Sequence, residues 1–171
     1  MKKMIAASLA LMLAGCTPSS SAEPEPMEKE FRCAVTVTGS SEYTGTIERA
    51  GGSNWKIELT SPESAAGITL CYLADGKCSL ELQGHTVVYG RDNIPQGGVF
   101  DLVTSAADMC IENKGVTNRT TDDGSKCSGA VKGMSFTAES TKGMLSSICI
   151  GDDIRAEFTE LLPSSLSSCT E

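Results

Sequence analysis

Histidine is nearly absent from this sequence, and so are the motifs of common enzymes. The 171 residues contain one histidine, His85, and nothing that resembles G-x-S-x-G, H-E-x-x-H or a phosphate-cradling glycine loop. General acid–base or triad chemistry needs a nucleophile, a base and an orienting group in one place. His85 follows Gly84 at the start of the alternating run TVVY, which favours an exposed histidine at a strand end. The sequence therefore predicts a protein that is not an enzyme and uses no cofactor.

Positive charge is scarce as well. Fourteen lysine and arginine residues stand against 22 aspartate and glutamate residues, so the formal net charge is −8 at pH 7. Residues 1–15 contain two of the lysines, and without that segment the net charge is −10. An acidic surface repels polyanions, which argues against nucleic acid and anionic membrane faces as partners.

Long hydrophobic runs are also missing, since no stretch approaches the 18 apolar residues typical of a transmembrane helix. The chain instead begins with Lys2 and Lys3, followed by a short apolar run over residues 4–13. This combination is typical of an export signal. The remaining length suits one globular domain with a core.

The export signal ends in Leu13-Ala14-Gly15-Cys16, which resembles the lipobox of bacterial lipoproteins. In that family the cysteine becomes the first mature residue, its thiol receives a diacylglycerol and its amine is acylated, with chains such as palmitate. The resemblance implies lipid attachment at Cys16, a signal peptide over 1–15 and a location on the extracytoplasmic face of a bacterial membrane. Two or more acyl chains suffice for lasting attachment. The alternative is an ordinary secretory signal that is cut nearby and leaves Cys16 as a thiol.

The segments at the two ends of the domain have little to bury. Residues 16–30 continue from the cysteine with TPSSSAEPEPMEKE, and this composition predicts a disordered tether. Residues 164–171, SSLSSCTE, are predicted to form a flexible tail. The folded domain is therefore expected over residues 31–163.

Seven cysteines remain if Cys16 carries lipid, and an odd number leaves at least one without a partner in the chain. Cys71 and Cys78 flank the turn signal Asp75-Gly76. A two-residue hairpin there would place Leu73 opposite Cys78 and leave the two cysteines about 7–8 Å apart, too far for a disulfide. The absence of a C-x-x-C pair argues against a metal site. A thiol-active protein stays open as a minor alternative.

Short alternating segments separated by turn residues dominate the sequence from Phe31 onward, as in an antiparallel sheet. Helical spacing of apolar residues over 98–112 predicts one main amphipathic helix, and the polar run 116–127 predicts a loop. The expected fold class is α+β, with a single curved antiparallel sheet and the helix on its concave side. The sequence predicts about nine strands, over residues 31–39, 42–50, 54–60, 67–73, 78–83, 85–89, 130–139, 143–151 and 154–162.

The order and spacing of these elements are similar to those of the LolA-like lipoprotein carrier superfamily. The residues that carry the resemblance are Tyr43 and Gly45, the run at 55–62 (WKIELTSP), Gly67, the Asp75-Gly76 turn, Gly84, and Pro95 before the helix. The resemblance implies a half-open barrel with a concave apolar face that holds acyl chains or other hydrophobic ligands. The side chains that it places on this face are Tyr43, Ile47, Trp55, Ile57, Leu59, Leu80 and Leu82.

Two functions are compatible with this pattern. The first is a lipid-anchored, non-enzymatic protein that binds or carries a hydrophobic ligand such as a lipid or an acyl chain. The second is an envelope protein–protein interaction module with the same sheet, a filled core and no ligand. An alternating strand looks the same in sequence whether its inner face meets a ligand or a helix, so the pattern leaves both open.

Overall fold

The fold is a single antiparallel sheet with one helix on one of its faces. A computed structural model describes residues 26–93 and 98–163. The helix, α1, spans Val99–Ile111, and a short 3-10 helix spans Arg91–Asn93. The strands are β1 Phe31–Thr38, β2 Glu42–Ala50, β3 Asn54–Ser61, β4 Thr69–Tyr72, β5 Lys77–Leu82, β6 His85–Gly90, β7 Val116–Thr121, β8 Gly124–Val131, β9 Met134–Thr141, β10 Met144–Ile150 and β11 Ile154–Leu161.

The sheet consists of two meanders that meet in its middle. Its strands lie in the order β6-β5-β4-β3-β2-β1-β11-β10-β9-β8-β7, so it is open, with β6 and β7 at its edges. From β1 in the centre of the sheet, successive strands lead to one edge at β6. The chain then crosses to the other edge through α1 and returns from β7 to β11. The two meanders are joined by β1 and β11, where Val37 lies opposite Ala156.

The side chains that face α1 form the core, and we call this side of the sheet the inner face. Strand register places Ile47 opposite Ile57, Ile57 opposite Leu70, Leu70 opposite Leu80, and Leu80 opposite Val87. Ile47 and Ile57 are fully buried, so this row begins in the core and ends at the edge strand β6. The helix packs mainly on β8, β9 and β10.

The predicted α+β class, with one antiparallel sheet and one main helix, is confirmed, and the helix lies within one residue of the predicted bounds at each end. The predicted strand count was wrong, because the sheet has eleven strands and not about nine. Residues 116–127, predicted as a loop, contain β7 and the first half of β8. The strand predicted over 130–139 instead includes the turn between β8 and β9.

The error over 116–127 has a physical cause. Among the strands of residues 26–93 and 98–163, β7 is at an edge and pairs with β8 alone, and four of its six residues are exposed polar side chains. Without an apolar row it shows no alternation, which is the signal that identifies a half-buried strand in a sequence. The sequence on both sides of the Asp122-Asp123 turn was therefore predicted as one continuous loop, although this turn connects β7 and β8.

The hairpin between β4 and β5 also differs from the prediction. Tyr72, and not Leu73, lies opposite Cys78. Leu73 and Lys77 close the hairpin with a backbone hydrogen bond of 2.9 Å, so its loop has three residues and not two. The side chain of Asp75 stabilises this loop by accepting a hydrogen bond of 3.0 Å from the Lys77 amide.

Gly45 occupies a position in β2 that only glycine fits. The pairing of β2 with β3 is irregular between Thr44 and Gly45, as at a β-bulge. A Cβ atom on Gly45 would collide with the carbonyl oxygen of Glu58 on β3. The missing side chain thus permits the two backbones to approach closely.

The last residues of the predicted tether contact the sheet. The Glu28 amide donates a 2.8 Å hydrogen bond to the Gly143 carbonyl, and Met27 packs against the core. The Lys29 carbonyl accepts a 2.5 Å hydrogen bond from Arg49. The predicted signal peptide over 1–15, lipidated Cys16 and tail over 164–171 lie outside the described residues, as does most of the tether.

Candidate functional site

The seven side chains predicted to contact a ligand all lie on the inner face. Three of them, Ile47, Ile57 and Leu80, lie in the row described above, and the other four lie beside this row on β2, β3 and β5. The exposure of the seven side chains differs greatly. Ile47, Trp55 and Ile57 have no exposed surface, and Leu59 is buried as well. Only Tyr43 and Leu80, which are half-buried, and Leu82, which is exposed, reach the surface.

The accessible part of the inner face is therefore its end at β4, β5 and β6. We call the set Leu70, Leu80, Leu82 and Val87 the apolar rim. Leu82 is 38% exposed and Val87 is 59% exposed, whereas Leu70 and Leu80 are half-buried behind them. Neighbouring accessible apolar side chains of this kind are typical of a binding surface.

Two clefts among the described residues lie elsewhere. One, of about 540 Å³, is lined by Lys29, Arg49, Ser53 and Glu112 among others, between the β2–β3 turn and the end of α1. The second, of about 190 Å³, includes Cys33 and Phe158 in its wall. None of the seven predicted side chains lines either cleft. The apolar rim is thus an open surface at the sheet edge, separate from both clefts.

A buried carboxylate in the first turn of α1 brings together the two halves of the sheet. Asp101 has no exposed surface and accepts a 2.5 Å hydrogen bond from Nε of Arg91, which directly follows β6. Its second carboxylate oxygen contacts Nζ of Lys132, in the turn between β8 and β9. The Arg91 guanidinium also lies 5.2 Å from the centre of the Tyr72 ring on β4. We call Arg91, Asp101 and Lys132 the Asp101 cluster.

A second, half-buried carboxylate, that of Asp108, fixes the other end of the helix. Oδ1 of Asp108 accepts a 2.9 Å hydrogen bond from Nε of Arg49, and its Oδ2 accepts one of 3.0 Å from the Trp55 indole. Arg49 is only 5% exposed and Trp55 is fully buried. Glu112 lies 3.5 Å from the same guanidinium but is more accessible. Buried charges are tolerated in this way only when paired and hydrogen-bonded.

Neither carboxylate, and none of the three cations around them, was predicted from the sequence. One signal was present, because Arg49 continues the alternation of Gly45 and Ile47 toward the inner face. Asp101 and Asp108 are seven residues apart and therefore share one side of the helix with its apolar residues. A charged residue in phase with a buried row indicates a buried ion pair.

The described cysteines fall into bonded and free groups. Cys110 of α1 and Cys127 of β8 form a disulfide with a Cα–Cα distance of 6.1 Å, and Cys71 is also disulfide-bonded. Cys78 is free, so it does not bridge to Cys71, in agreement with the sequence analysis. The other free cysteines of the described ranges are Cys33, which is buried, and Cys149, which is half-buried.

Alkylation with iodoacetamide at pH 8 is expected to label Cys149 well before Cys33 and Cys78. Burial raises the pKa of Cys33 to about 12 and also raises the pKa of Cys78, so both stay protonated at pH 8, and the protonated thiol is a poor nucleophile. Peptide mapping by mass spectrometry over time would give the three rates. Denaturation in urea, as the control, should make the rates similar. Equal rates in the folded protein would contradict the assignment.

His85 is exposed at the start of β6. In residues 26–93 and 98–163, no group of three or more histidine, cysteine, aspartate or glutamate side chains is placed to hold a metal ion. No helix in the same ranges is long and apolar enough to span a membrane. The features of chemical interest in the described ranges are the apolar rim, the buried Asp101 and the half-buried Asp108.

Comparisons with known proteins add information about the fold alone. No family model matches the chain, and no curated protein matches it. Among solved structures, the chain is similar to an uncharacterized conserved protein from Thermus thermophilus, with a TM-score of 0.50 and 10% sequence identity. The match covers 81% of each chain. It shows that this arrangement of sheet and helix occurs in a second protein.

Proposed function

We propose that this protein is a lipid-anchored protein of the bacterial envelope that binds a hydrophobic ligand, such as a lipid or an acyl chain, without catalysing a reaction. The observation that carries the proposal is the apolar rim. The rim continues the row of Ile47 and Ile57 from the core to the edge strand β6. The last side chain of this row, Val87, is 59% exposed. An acyl chain lying on the rim would shield this surface from water, at about 25 cal/mol for each Å² of apolar area.

The open sheet with a helix on its inner face is compatible with the half-open barrel of LolA-like carriers. The proposal assigns this chain to that architecture, with α1 filling the concave side. The site is smaller than the sequence resemblance implied, because Ile47, Trp55 and Ile57 are packed in the core. In the proposed complex the ligand contacts Leu80 and Leu82 of the predicted set, together with Leu70 and Val87.

The anchoring part of the proposal rests on the resemblance of residues 13–16 to a lipobox. Cys16→Ala is expected to move the protein from the membrane fraction to the soluble fraction of the cell envelope, because the acyl chains would have no attachment point. Immunoblotting of both fractions gives the distribution, with Cys149→Ala as the control. Retention of the Cys16→Ala protein in the membrane would disprove the lipobox interpretation.

One observation favours the alternative, a protein–protein interaction module. Within the described ranges β6 has a neighbour on one side only, and Val87 and Val88 are exposed on opposite faces of it, by 59% and 60%. An exposed apolar edge strand can accept a further strand from a partner. A partner strand would use the backbone of β6 and both valines, whereas a ligand on the rim would use only Val87.

The ligand part of the proposal is tested by extraction of the native protein. The protein is produced from its full sequence in a bacterial host, purified in a nonionic detergent, and extracted with organic solvent for mass spectrometry. We expect a hydrophobic molecule in a reproducible molar ratio to the protein. An unrelated lipid-anchored protein taken through the same steps controls for lipid carried by the detergent. A lipid content equal to that of the control would contradict ligand binding.

A further inference from the structure

The Asp101 cluster has more positive than negative charge. Asp101 contributes one carboxylate, whereas Arg91 and Lys132 contribute one cation each. The other acceptors of Arg91 are the hydroxyls of Thr104 and Ser105, at 3.3 and 2.9 Å, and these are neutral. One positive charge of the cluster is therefore not balanced within it, although the chain as a whole has a formal net charge of −8.

Both cations are accessible while the carboxylate is not. The side chains of Arg91 and Lys132 are 23% and 41% exposed, whereas that of Asp101 is fully buried. The buried Asp101 carboxylate therefore holds the two cations side by side, and part of each cation faces the solvent. Two cations fixed in this way lose little side-chain entropy when they bind an anion, which favours binding.

The cluster lies at one end of the apolar rim. Arg91 is four residues from Val87 and two from Tyr89, an inner-face residue of β6. Four residues of extended chain span at most about 14 Å. The contacts of Arg91 with Tyr72 and with Asp101 of α1 show that its side chain lies on the inner face. The Asp101 cluster and the apolar rim thus lie on the same face of the sheet, and the distance between them is shorter than an acyl chain.

We propose that the ligand is an amphiphile with an anionic head group, a carboxylate or a phosphate, which binds Arg91 and Lys132 while its hydrocarbon chain lies on the apolar rim. This inference rests on the proposed function and adds the chemical class of the ligand. Charge-assisted hydrogen bonds from arginine and lysine to carboxylate or phosphate oxygens are stronger than those between neutral groups. A neutral lipid of the same length would gain only the apolar contacts.

The test compares three probes that share a 16-carbon chain with a diazirine near its end: a fatty acid, an alkyl phosphate and a fatty alcohol. The protein is produced from its full sequence, purified in dodecyl maltoside and irradiated at increasing probe concentrations. Mass spectrometry measures labelling of the peptide that contains β5 and β6. We expect the two anionic probes to label this peptide at about tenfold lower concentration than the alcohol, the effect of one additional charge-assisted hydrogen bond.

Lys132→Gln is expected to remove this preference, because the remaining Arg91–Asp101 pair is neutral. Labelling by the alcohol should stay unchanged. Lys132→Arg should retain the preference for the anionic probes. This result would show that the loss in Lys132→Gln comes from the missing charge and not from an altered fold. Lys126→Gln is the matched control, since Lys126 is a lysine of β8 with similar exposure, 43%, that lies 3.2 Å from Glu139.

The outcomes separate this inference from the proposed function. If none of the three probes labels the rim, the proposed function is overturned and the inference fails with it. If the alcohol labels the rim as well as the anionic probes do, the head-group site is overturned and hydrophobic binding stands. A preference that persists in Lys132→Gln also overturns the site. If only one anionic probe shows the preference, the head group is identified as that carboxylate or phosphate.

Discussion

Val87→Asp is expected to reduce ligand binding at least about tenfold, because it places a charge on the surface where the proposed acyl chain lies, and desolvating a charge there costs several kcal/mol. The substitution should leave the fold intact, since Val87 is 59% exposed in an edge strand. The molar ratio of co-purified lipid to protein gives the effect, and a thermal denaturation curve verifies the fold.

Val88→Asp provides a matched control from the same strand. Val88 is 60% exposed, but it lies opposite Ser79, which in turn lies opposite Cys71, so it belongs to the outer face. This variant should retain the lipid content of the unmodified protein. Equal losses in both variants would show that lipid binding does not depend on the inner face, which contradicts the apolar rim as the ligand site. An unchanged lipid content in Val87→Asp would exclude the apolar rim as the ligand site.

Asp108→Ala is expected to destabilise the protein by about 2–3 kcal/mol, because the buried Arg49 guanidinium loses its closer carboxylate partner. The variant removes a hydrogen bond from the Trp55 indole and the closer carboxylate partner of Arg49. Arg49 stays 5% exposed in the folded protein and cannot regain full hydration. Urea denaturation followed by the fluorescence of Trp55, the single tryptophan, measures the free energy of unfolding.

Glu112→Ala is the matched comparison, because Glu112 pairs with the same Arg49 at 3.5 Å but its side chain is 32% exposed. Exposed ion pairs contribute about 0–1 kcal/mol, so this variant should lose much less stability. Comparable losses in the two variants would show that burial does not set the strength of this pair. A small loss in Asp108→Ala would show that the carboxylate does not hold α1 on β2 and β3.

Strand β3 and helix α1 show what local sequence patterns can predict. In β3, Trp55, Ile57 and Leu59 alternate with polar residues, and the predicted bounds differ from the structure by one residue. The helix was predicted equally well, because Leu102, Val103 and Ala106 form one buried side of it. Each of these signals arises within a single element, where side chains alternate between core and solvent at a fixed period.

The candidate site was predictable only in part. The family resemblance implied one apolar face for all seven side chains, and it did not reveal that Ile47, Trp55 and Ile57 lie in the core while Leu82 is exposed. That difference depends on where α1 crosses the sheet. The Asp101 cluster was not predictable from spacing, since Arg91, Asp101 and Lys132 come from three different elements.

The sequence by itself predicted an export signal, one domain of α+β class, the helix and most strands. Each of these predictions follows from composition or from the spacing of apolar residues within a single segment. Only the tertiary structure decided the pairing of β1 with β11, the number of strands, and the meeting of two cations at Asp101. These features join residues that are distant in the chain, such as Val37 and Ala156. Pairing over such separations is set by the packing of the whole sheet around α1, so the alternation of residues within one segment does not predict it.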